Sequence, residues 1–220
     1  MLIEQLISPI VPTLLLTDTG SKALFLMDES NLTQIPLLAE EKYMALVQEN
    51  DLLDWDTPES PLSKATFLTY RPAVFASGHP YEAMRVAHQQ NLSIVPVVDN
   101  ENKYLGAITR DDLLRYITEN SGVDNPGGII IIELDPRDYS LSEIARICES
   151  EEVIVISTQL FTNKVTGKIE ITLKTNRTDL QGLAATFERH NFIVKNVYGE
   201  QAHYEDMQDR YQLLMNYINM

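Results

Sequence analysis

An internal repeat at a spacing of 60 residues constrains the fold more than any other feature of this sequence. The matching pairs are Pro12 and Pro72, Ala23 and Ala83, Asn31 and Asn91, Leu32 and Leu92, and Pro36 and Pro96, followed after a one-residue slip by Tyr43 and Tyr104, Asp51 and Asp112, Leu52 and Leu113, and Leu53 and Leu114. Identities that keep one order at one offset, and that include two prolines, rarely arise by chance. Residues 1–120 are therefore predicted to contain two copies of one structural unit.

Each copy is predicted to form a small sheet flanked by helices. In the second copy, residues 83–87 carry apolar side chains at helical spacing. The apolar runs at 93–98 and 104–108 predict the two strands of a hairpin, with a turn at 99–102. Thr109 then begins a second helix, whose predicted buried residues are Leu113, Leu114 and Ile117. Two such units are expected to pack about a pseudo-twofold axis.

The second copy also carries a family signature. Val-Pro-Val-Val-Asp at 95–99 and Leu-Gly-Ala-Ile-Thr-Arg-Asp-Asp-Leu-Leu at 105–114 resemble the signature of CBS domains. These domains occur as tandem pairs and commonly bind adenosine-containing ligands. The resemblance is clear in the second copy and degenerate in the first. It implies one CBS repeat at residues 1–57 and another at 58–120.

Thr109 and Asp112 support two interpretations. Thr-x-x-Asp before an apolar run is close to a capping box, in which the Thr109 hydroxyl accepts a hydrogen bond from the Asp112 amide. The same positions suit a nucleotide, because helix N-terminal amides favour phosphate and a carboxylate can accept both hydroxyls of a ribose. Arg110 is a further phosphate candidate, since a cation in the first turn is unfavourable unless an anion compensates it.

The resemblance to CBS domains assigns roles to these residues and adds further ones. It implies that Thr109 and Asp112, with Arg110, contact ribose and phosphate. It also implies walls for the adenine, formed by Tyr70, Pro72, Ala73, Val74, Ile94, Val95 and Pro96. The alternative for Val74, Ile94 and Val95 is a place in the plain hydrophobic core. The implied ligand is AMP, ATP or another adenosyl compound, and no cofactor is implied.

The first copy departs from this pattern at positions that matter for a phosphate. Glu49 stands where the second copy has Arg110, and it would repel a phosphate. Ala45 replaces Gly106 and adds a methyl group where a ligand would approach. Asp51 keeps the carboxylate. We therefore predict one functional nucleotide site, in the second repeat.

The net charge of −15, from 17 basic and 32 acidic residues, is unevenly spread. Residues 1–59 hold 2 basic and 11 acidic residues, whereas residues 60–120 hold 6 of each. An anionic ligand meets the least repulsion in the middle third, although solubility alone could have set the same pattern. A chain this acidic is predicted to bind neither nucleic acid nor an anionic membrane.

The pattern changes after residues 121–128, whose composition predicts a linker. Residues 129–220 predict the ferredoxin-like order βαββαβ, so that the whole chain belongs to the α+β class. This part resembles ACT domains, which often bind amino acids between paired sheets and which also favour dimers. The loop at 134–139 lacks the glycine that such domains usually carry there, and this leaves amino-acid binding open.

Three helices are expected in this C-terminal part. Ser140 is predicted to cap the first, whose buried residues are expected to be Leu141, Ile144, Ala145 and Cys148. Thr178 is predicted to cap the second, which would bury Leu180, Leu183, Ala184 and Phe187. Cys148 is thus expected to be a core thiol rather than a reactive one. Apolar residues at 204–218 predict a short third helix that covers its own sheet or reaches a partner subunit.

Composition argues against catalysis. The four histidines are scattered, the single cysteine has no histidine beside it, and no cluster with zinc-ligand spacing is present. The sequence contains neither Gly-x-Ser-x-Gly nor a Walker loop. We therefore predict no catalytic and no metal-binding residues. An enzyme that uses His79 or His88 as a base is the minority alternative.

Location and partners follow from the same features. A single cysteine fits a reducing compartment, no apolar run approaches the ~20 residues of a membrane helix, and no signal peptide is evident. These features predict a cytoplasmic protein that contacts no membrane.

The arrangement is similar to CBS–ACT proteins of the acetoin-utilisation type. It predicts a regulatory homodimer that senses an adenosyl ligand and acts on an unidentified effector protein. The alternative is a dimerisation or interaction scaffold with no small-molecule ligand.

Overall fold

The computed structural model describes residues 2–199, and the chain divides into two compact units, Met1–Ile117 and Thr118–Met220. Small sheets flanked by helices make up both units, so the predicted α+β class is confirmed. Within the described part of the chain, no helix combines the length and apolar character needed to cross a membrane. The helix predicted at 204–218 lies outside the described residues.

The first unit contains the same order of elements twice. The first copy consists of β1 (Leu14–Leu15), α1 (Gly20–Ser30), β2 (Gln34–Ala39), β3 (Lys42–Gln48) and α2 (Glu49–Leu53). The second copy consists of β4 (Val74–Phe75), α3 (Pro80–Gln89), β5 (Ile94–Val98), β6 (Tyr104–Thr109) and α4 (Arg110–Asn120). The repeat in the sequence is therefore a repeat in the structure.

The two copies also share their strand register. Each forms a three-stranded sheet in which a short parallel strand is followed by an antiparallel hairpin. Leu14 pairs with Leu37 in the first sheet, and Val74 pairs with Val97 at the equivalent positions of the second. The one-residue slip in the repeat falls in the hairpin: four residues lie between the paired Leu38 and Tyr43, and five lie between the paired Val98 and Tyr104.

Matching asparagines follow α1 and α3. Asn31 has a φ of 52° and Asn91 a φ of 51°, so both adopt the left-handed conformation in which helices commonly end. Asparagine tolerates this conformation better than most residues, because its short polar side chain can hydrogen-bond locally. The requirement for this turn gives a physical reason for one of the identities in the repeat.

A 3₁₀ helix precedes each copy and packs against the other copy. Ile3, in the helix before the first copy, donates its N–H to the Gly78 carbonyl at 3.1 Å and lies fully buried in the core of the second copy. Leu62, in the helix before the second copy, donates its N–H to the Asp18 carbonyl at 2.7 Å and is fully buried in the core of the first. Each copy thus completes the core of the other, which explains why residues 1–117 form one unit.

Gly106 on β6 lies directly against this N-terminal segment. A Cβ on Gly106 would overlap the Cγ2 atom of Ile7, and the φ of +146° disfavours any side chain there. The expectation that this glycine leaves room for a ligand is therefore wrong, because Ile7 fills the space. The equivalent Ala45 in the first copy is fully buried in that copy's core.

Gly106→Ala is expected to destabilise the first unit by about 1–3 kcal/mol, from the overlap with Ile7 and from backbone strain. Urea unfolding of the variant and of the wild type measures this loss. In an Ile7→Ala background the overlap is relieved, so the same glycine substitution should cost less there. Fully additive losses in the double variant would contradict this contact.

The helix α4 presents a different face to the sheet from the one predicted. Leu113 and Tyr116 are buried, at 6% and 8% exposed, together with Asp112. Leu114 is 63% exposed and Ile117 is 42% exposed, so the prediction that both are buried is wrong. The buried side of the helix runs through residues 112, 113 and 116, and this turns Leu114 and Ile117 outward.

Up to residue 199, the second unit has one four-stranded antiparallel sheet with two α-helices. Its elements are β7 (Ile129–Leu134), α5 (Leu141–Ser150), β8 (Val155–Thr162), β9 (Ile169–Thr175), α6 (Gln181–Arg189) and β10 (Ile193–Tyr198). The strand order is β10-β7-β9-β8, and every neighbouring pair is antiparallel. The predicted order βαββαβ is therefore confirmed, whereas membership of the ACT family stays a prediction.

Local side-chain hydrogen bonds determine where the two helices of this unit begin. The Glu143 N–H donates to Ser140 Oγ at 3.3 Å, which confirms the predicted cap of α5. The helix α6 begins at Gln181, whose N–H donates to Asp179 Oδ1 at 3.2 Å. The prediction that Thr178 caps this helix is wrong, because the Asp179 carboxylate satisfies the first amide instead.

The buried face of α5 is shifted along the helix relative to the prediction. Ile144, Ile147 and Cys148 are buried, but Leu141 is 53% exposed and Ala145 is also exposed. Ile147 and Cys148, three and four residues after Ile144, share its buried face, whereas Leu141 lies at the first position of the helix and stays exposed. Cys148 is confirmed as a core thiol, and burial raises its pKa to about 11.

Candidate functional site

Thr109 and Asp112 form a closed pair at the junction of β6 and α4. Asp112 Oδ2 accepts hydrogen bonds from the Thr109 N–H at 2.9 Å and from the Thr109 hydroxyl at 2.6 Å. The Asp112 N–H donates in return to Thr109 Oγ1 at 3.1 Å. This is the predicted capping arrangement, and it fixes the orientation of a carboxylate that is only 6% exposed.

The second oxygen of this carboxylate contacts a residue that the sequence analysis did not single out. Arg115 Nη2 lies 2.6 Å from Asp112 Oδ1, in an ion pair one turn along the helix. The Arg115 side chain is 61% exposed, so water competes with this partner far more than with Thr109. The spacing of three residues between opposite charges on a helix is the signal that would have identified it.

The guanidinium of Arg110 points away from this pair. Its Nε donates to the Leu92 carbonyl at 2.6 Å, and its Nη2 donates to Asn91 Oδ1 at 2.7 Å. These bonds join the start of α4 to the turn that follows α3. The structure therefore does not bring Arg110 together with Thr109 and Asp112, although the three are close in sequence.

The expected adenine walls are largely buried, and one of them lies beside Thr109. Ile94 pairs with Thr109 across the hairpin of β5 and β6. Val74, Ile94 and Val95 are each at most 2% exposed and belong to the core of the second copy, as the alternative interpretation requires. The other expected wall residues, Pro72, Pro96, Tyr70 and Ala73, are buried or partly buried.

The segment that contains Tyr70 and Pro72 is held from both copies. The Tyr43 hydroxyl donates to the Pro72 carbonyl at 3.0 Å, and the Leu46 N–H donates to the Tyr70 carbonyl at 2.8 Å. The Tyr70 hydroxyl donates to Gln90 Oε1, just after α3, at 2.9 Å. The strand β3 of the first copy thus supports the second site, which motif spacing within one copy did not show.

Tyr43 and Tyr104 occupy equivalent positions in the repeat and stack on each other, with ring centroids 6.3 Å apart. Burial raises the pKa of both phenols. Tyr43 uses its hydroxyl on the Pro72 carbonyl, whereas the buried Tyr104 hydroxyl has no hydrogen-bond partner among residues 2–199. An unpaired buried hydroxyl costs about 1–3 kcal/mol relative to a hydrogen-bonded one.

The first copy holds its equivalent carboxylate more loosely. Gln48 Nε2 donates to Asp51 Oδ2 at 3.4 Å, in place of the three bonds between Thr109 and Asp112. Glu49 is the neighbour in the position of Arg110. The two copies therefore differ in structure as well as in sequence, and the carboxylate of Asp112 has more hydrogen bonds to hold it than that of Asp51.

A comparison with family models matches residues 71–119 to the CBS domain. The matched range contains Thr109, Asp112 and most of the expected adenine walls. This match confirms the resemblance of the second copy to CBS domains. It does not reach the second unit.

Comparisons with solved structures find similar chains. A CBS domain pair/ACT domain protein from Thermotoga maritima is 22% identical, with 54% of this chain and 98% of that chain covered and a TM-score of 0.48. An acetoin utilization protein from Vibrio cholerae is 22% identical, with 54% and 91% covered and a TM-score of 0.47. The protein CBSX2 in complex with AMP is 20% identical, with 54% and 96% covered and a TM-score of 0.47.

Proposed function

We propose that this protein is a non-catalytic regulator whose second repeat, within residues 58–120, binds an adenosine-containing ligand such as AMP or ATP. The observation that carries the proposal is the buried Asp112 carboxylate, which Thr109 fixes at the start of α4 within a range that matches the CBS domain. A carboxylate in a fixed orientation suits the hydroxyls of a ribose, and the positive end of the helix dipole favours an attached phosphate.

The two oxygens of Asp112 have different tasks in this proposal. Thr109 occupies Oδ2, so the ribose hydroxyls donate to Oδ1. Arg115 holds Oδ1 in this structure, but its exposed side chain can turn toward the phosphate of the bound ligand. Ligand binding then exchanges one exposed ion pair for hydrogen bonds to the ribose and a cation–phosphate contact.

The adenine lies against the segment that contains Tyr70 and Ala73. Both side chains are partly buried and pack on the core of the second copy, so each still offers some surface to a ligand. Adenine is flat and apolar on its two faces, which suits an aromatic ring and a small side chain. Val74, Ile94 and Val95 are buried in the core behind this surface. They therefore support it and offer the ligand little contact area.

The regulatory step acts through the contacts between the two copies. Because Tyr43 and Leu46 of the first copy hold the Tyr70–Pro72 segment, a ligand that shifts this segment changes how the copies pack. The resulting change is read by an effector protein. The second unit serves as an ACT-like dimerisation domain at residues 129–220, and the protein acts in the cytoplasm as a homodimer.

A scaffold without a ligand is the second candidate function, and one observation favours it. Asp112 already has protein partners on both oxygens, and the apolar wall residues are filled into the core. In such a scaffold the Thr109–Asp112 pair is a helix cap and nothing more.

Thermal unfolding with a ligand panel separates the two candidates. AMP, ATP, adenosine and S-adenosylmethionine are compared with GMP and GTP as controls. A ligand present at 100 times its dissociation constant stabilises the protein by about 2.7 kcal/mol, which corresponds to a shift of several degrees. A shift with adenosine ligands alone supports the sensor, and an unchanged melting temperature across the panel supports the scaffold.

A further inference from the structure

Arg115 has three carboxylates within reach along α4. Asp111 and Glu119 stand four residues before and after it, a spacing that suits helical ion pairs, and both are exposed. The guanidinium instead contacts Asp112, with Arg115 Nη2 at 2.6 Å from Oδ1. Thr109 occupies the other carboxylate oxygen, Oδ2. Arg115 therefore covers the oxygen that would accept the ribose hydroxyls.

The two partners of this ion pair are buried to very different degrees. The side chain of Asp112 is 8% exposed, whereas that of Arg115 is 61% exposed. A buried carboxylate oxygen is costly to leave without a partner. A guanidinium that already lies largely in water leaves the pair at small cost, since exposed ion pairs are weak. Asp112 thus needs a partner at Oδ1, but that partner is exchangeable.

The first copy has no cation at the equivalent position. Asp54 stands where the second copy has Arg115, so an anion replaces the cation. Asp51, the equivalent of Asp112, is only partly buried and accepts a long hydrogen bond of 3.4 Å from Gln48. The arginine therefore accompanies the buried and fixed carboxylate and is not a feature of the repeat as such.

The charge balance of the site gives this arginine a task. A phosphate brought close to the Asp112 carboxylate is repelled unless a cation lies beside both. Arg110 is held at the turn after α3 by its hydrogen bonds to Leu92 and Asn91. Arg115 is the arginine of α4 whose guanidinium already lies at the carboxylate.

We propose that Arg115 makes this site selective for adenosine ligands that carry a phosphate, an inference that rests on the function proposed above. The ribose displaces the guanidinium from Asp112 Oδ1, and the phosphate of the same ligand accepts it in a charge-assisted contact. Adenosine has to break the same ion pair and offers no anion in return. It therefore binds more weakly than AMP, and Arg115 is the residue that sets the difference.

Calorimetric titration of the intact chain with AMP and with adenosine tests this role, because the two ligands differ only in the phosphate. Arg115→Gln removes the cation and keeps a polar side chain. The ion pair is then lost for both ligands, so its cost cancels when their dissociation constants are compared. The preference for AMP over adenosine is expected to fall roughly tenfold to 100-fold, which is the effect of losing a hydrogen bond to a charged group.

Adenosine binding reports the ion pair by itself. Release of Asp112 Oδ1 in Arg115→Gln should strengthen adenosine binding by up to about fivefold, while AMP binding weakens. Damage to the fold would weaken both ligands together, so the opposite directions identify the specific role. Arg115→Lys keeps a cation and should retain most of the preference for AMP.

Arg85→Gln is the matched control. Arg85 is an exposed arginine on α3 of the same copy, where it donates to Gln89 Oε1 at 3.2 Å, and its loss changes the net charge equally. Both ligands should bind this variant as they bind the wild type. An unchanged preference for AMP in Arg115→Gln, equal weakening of both ligands, or the same response in Arg85→Gln would overturn the role of Arg115 and leave the nucleotide site standing. A wild-type chain that binds neither AMP nor adenosine would overturn the proposed function as well.

Discussion

Asp112→Ala is expected to remove between about half and nearly all of the stabilisation that an adenosine ligand gives to the wild-type protein. The substitution removes the oxygen that accepts the ribose hydroxyls, and a hydrogen bond to a charged group contributes about 1.5–3 kcal/mol. That loss weakens binding roughly tenfold to 100-fold. At a ligand concentration that stabilises the wild type by about 2.7 kcal/mol, a 100-fold weaker variant gains only about 0.4 kcal/mol.

The measurement compares the melting temperature of each variant with and without ligand. Asp112→Ala also removes hydrogen bonds to Thr109, and the loss of such a cap costs about 1 kcal/mol by itself. Only the difference between the liganded and unliganded states of the same variant therefore reports on binding. Asp112→Asn keeps the shape of the side chain and should lose the response as well.

Asp111→Ala is the matched control for this prediction. Asp111 precedes Asp112 in the first turn of the same helix and carries the same charge, but its side chain is exposed. Its removal changes the net charge and the helix terminus equally, so a general electrostatic effect would appear in both variants. A wild-type response in Asp112→Ala, or an equal loss in both variants, would contradict the assignment of Asp112.

Local patterns predicted most of the first unit. The alternation of apolar runs and turn residues is sufficient to predict the hairpin of β5 and β6, because a hairpin is formed by residues that are close in sequence. The cap formed by Thr109 and Asp112 was predicted for the same reason, since both partners lie within one helical turn. The repeat added the pairing of the two copies.

Contacts between distant residues were not accessible from those patterns. Ile7 fills the space beside Gly106, and Tyr43 reaches the carbonyl of Pro72, in each case across a long stretch of chain. Arg110 reaches back to the turn after α3 instead of toward Thr109. Sequence spacing shows which residues lie together in the first turn of a helix. The direction of a long side chain depends instead on the hydrogen-bond acceptors that the tertiary structure brings near it.

Periodicity also does not show whether an apolar face is covered. Leu113, Leu114 and Ile117 were all expected to be buried, because apolar residues at these spacings are typical of a helix that faces a core. Only Leu113 is buried within the chain. Periodicity therefore shows on which side of a helix the apolar residues lie, but not how many of them the neighbouring sheet covers.

Phe187→Ala is the substitution with the largest expected effect on stability. Phe187 is fully buried in the core of the second unit and packs edge-on against Phe192, with ring centroids 5.4 Å apart. Truncation of a buried phenylalanine to alanine costs about 3–5 kcal/mol, because transfer free energy is lost and a cavity remains. For a domain of about 100 residues, this corresponds to a decrease of more than ten degrees in melting temperature.

Phe161→Ala provides the matched control, since it removes the same atoms from the edge strand β8 of the same sheet. Phe161 is 60% exposed, so the free energy of unfolding of the variant is expected to remain within about 0.5 kcal/mol of the wild-type value.

Two probes then localise the effect of Phe187→Ala. The single tryptophan, Trp55, packs in the first unit, whereas far-ultraviolet circular dichroism reports on both units. We expect an early transition in circular dichroism without a matching change in tryptophan fluorescence, because the cavity lies in the core of the second unit alone. Coincident early transitions by both probes would contradict separate cores and would instead indicate that the two units unfold as one.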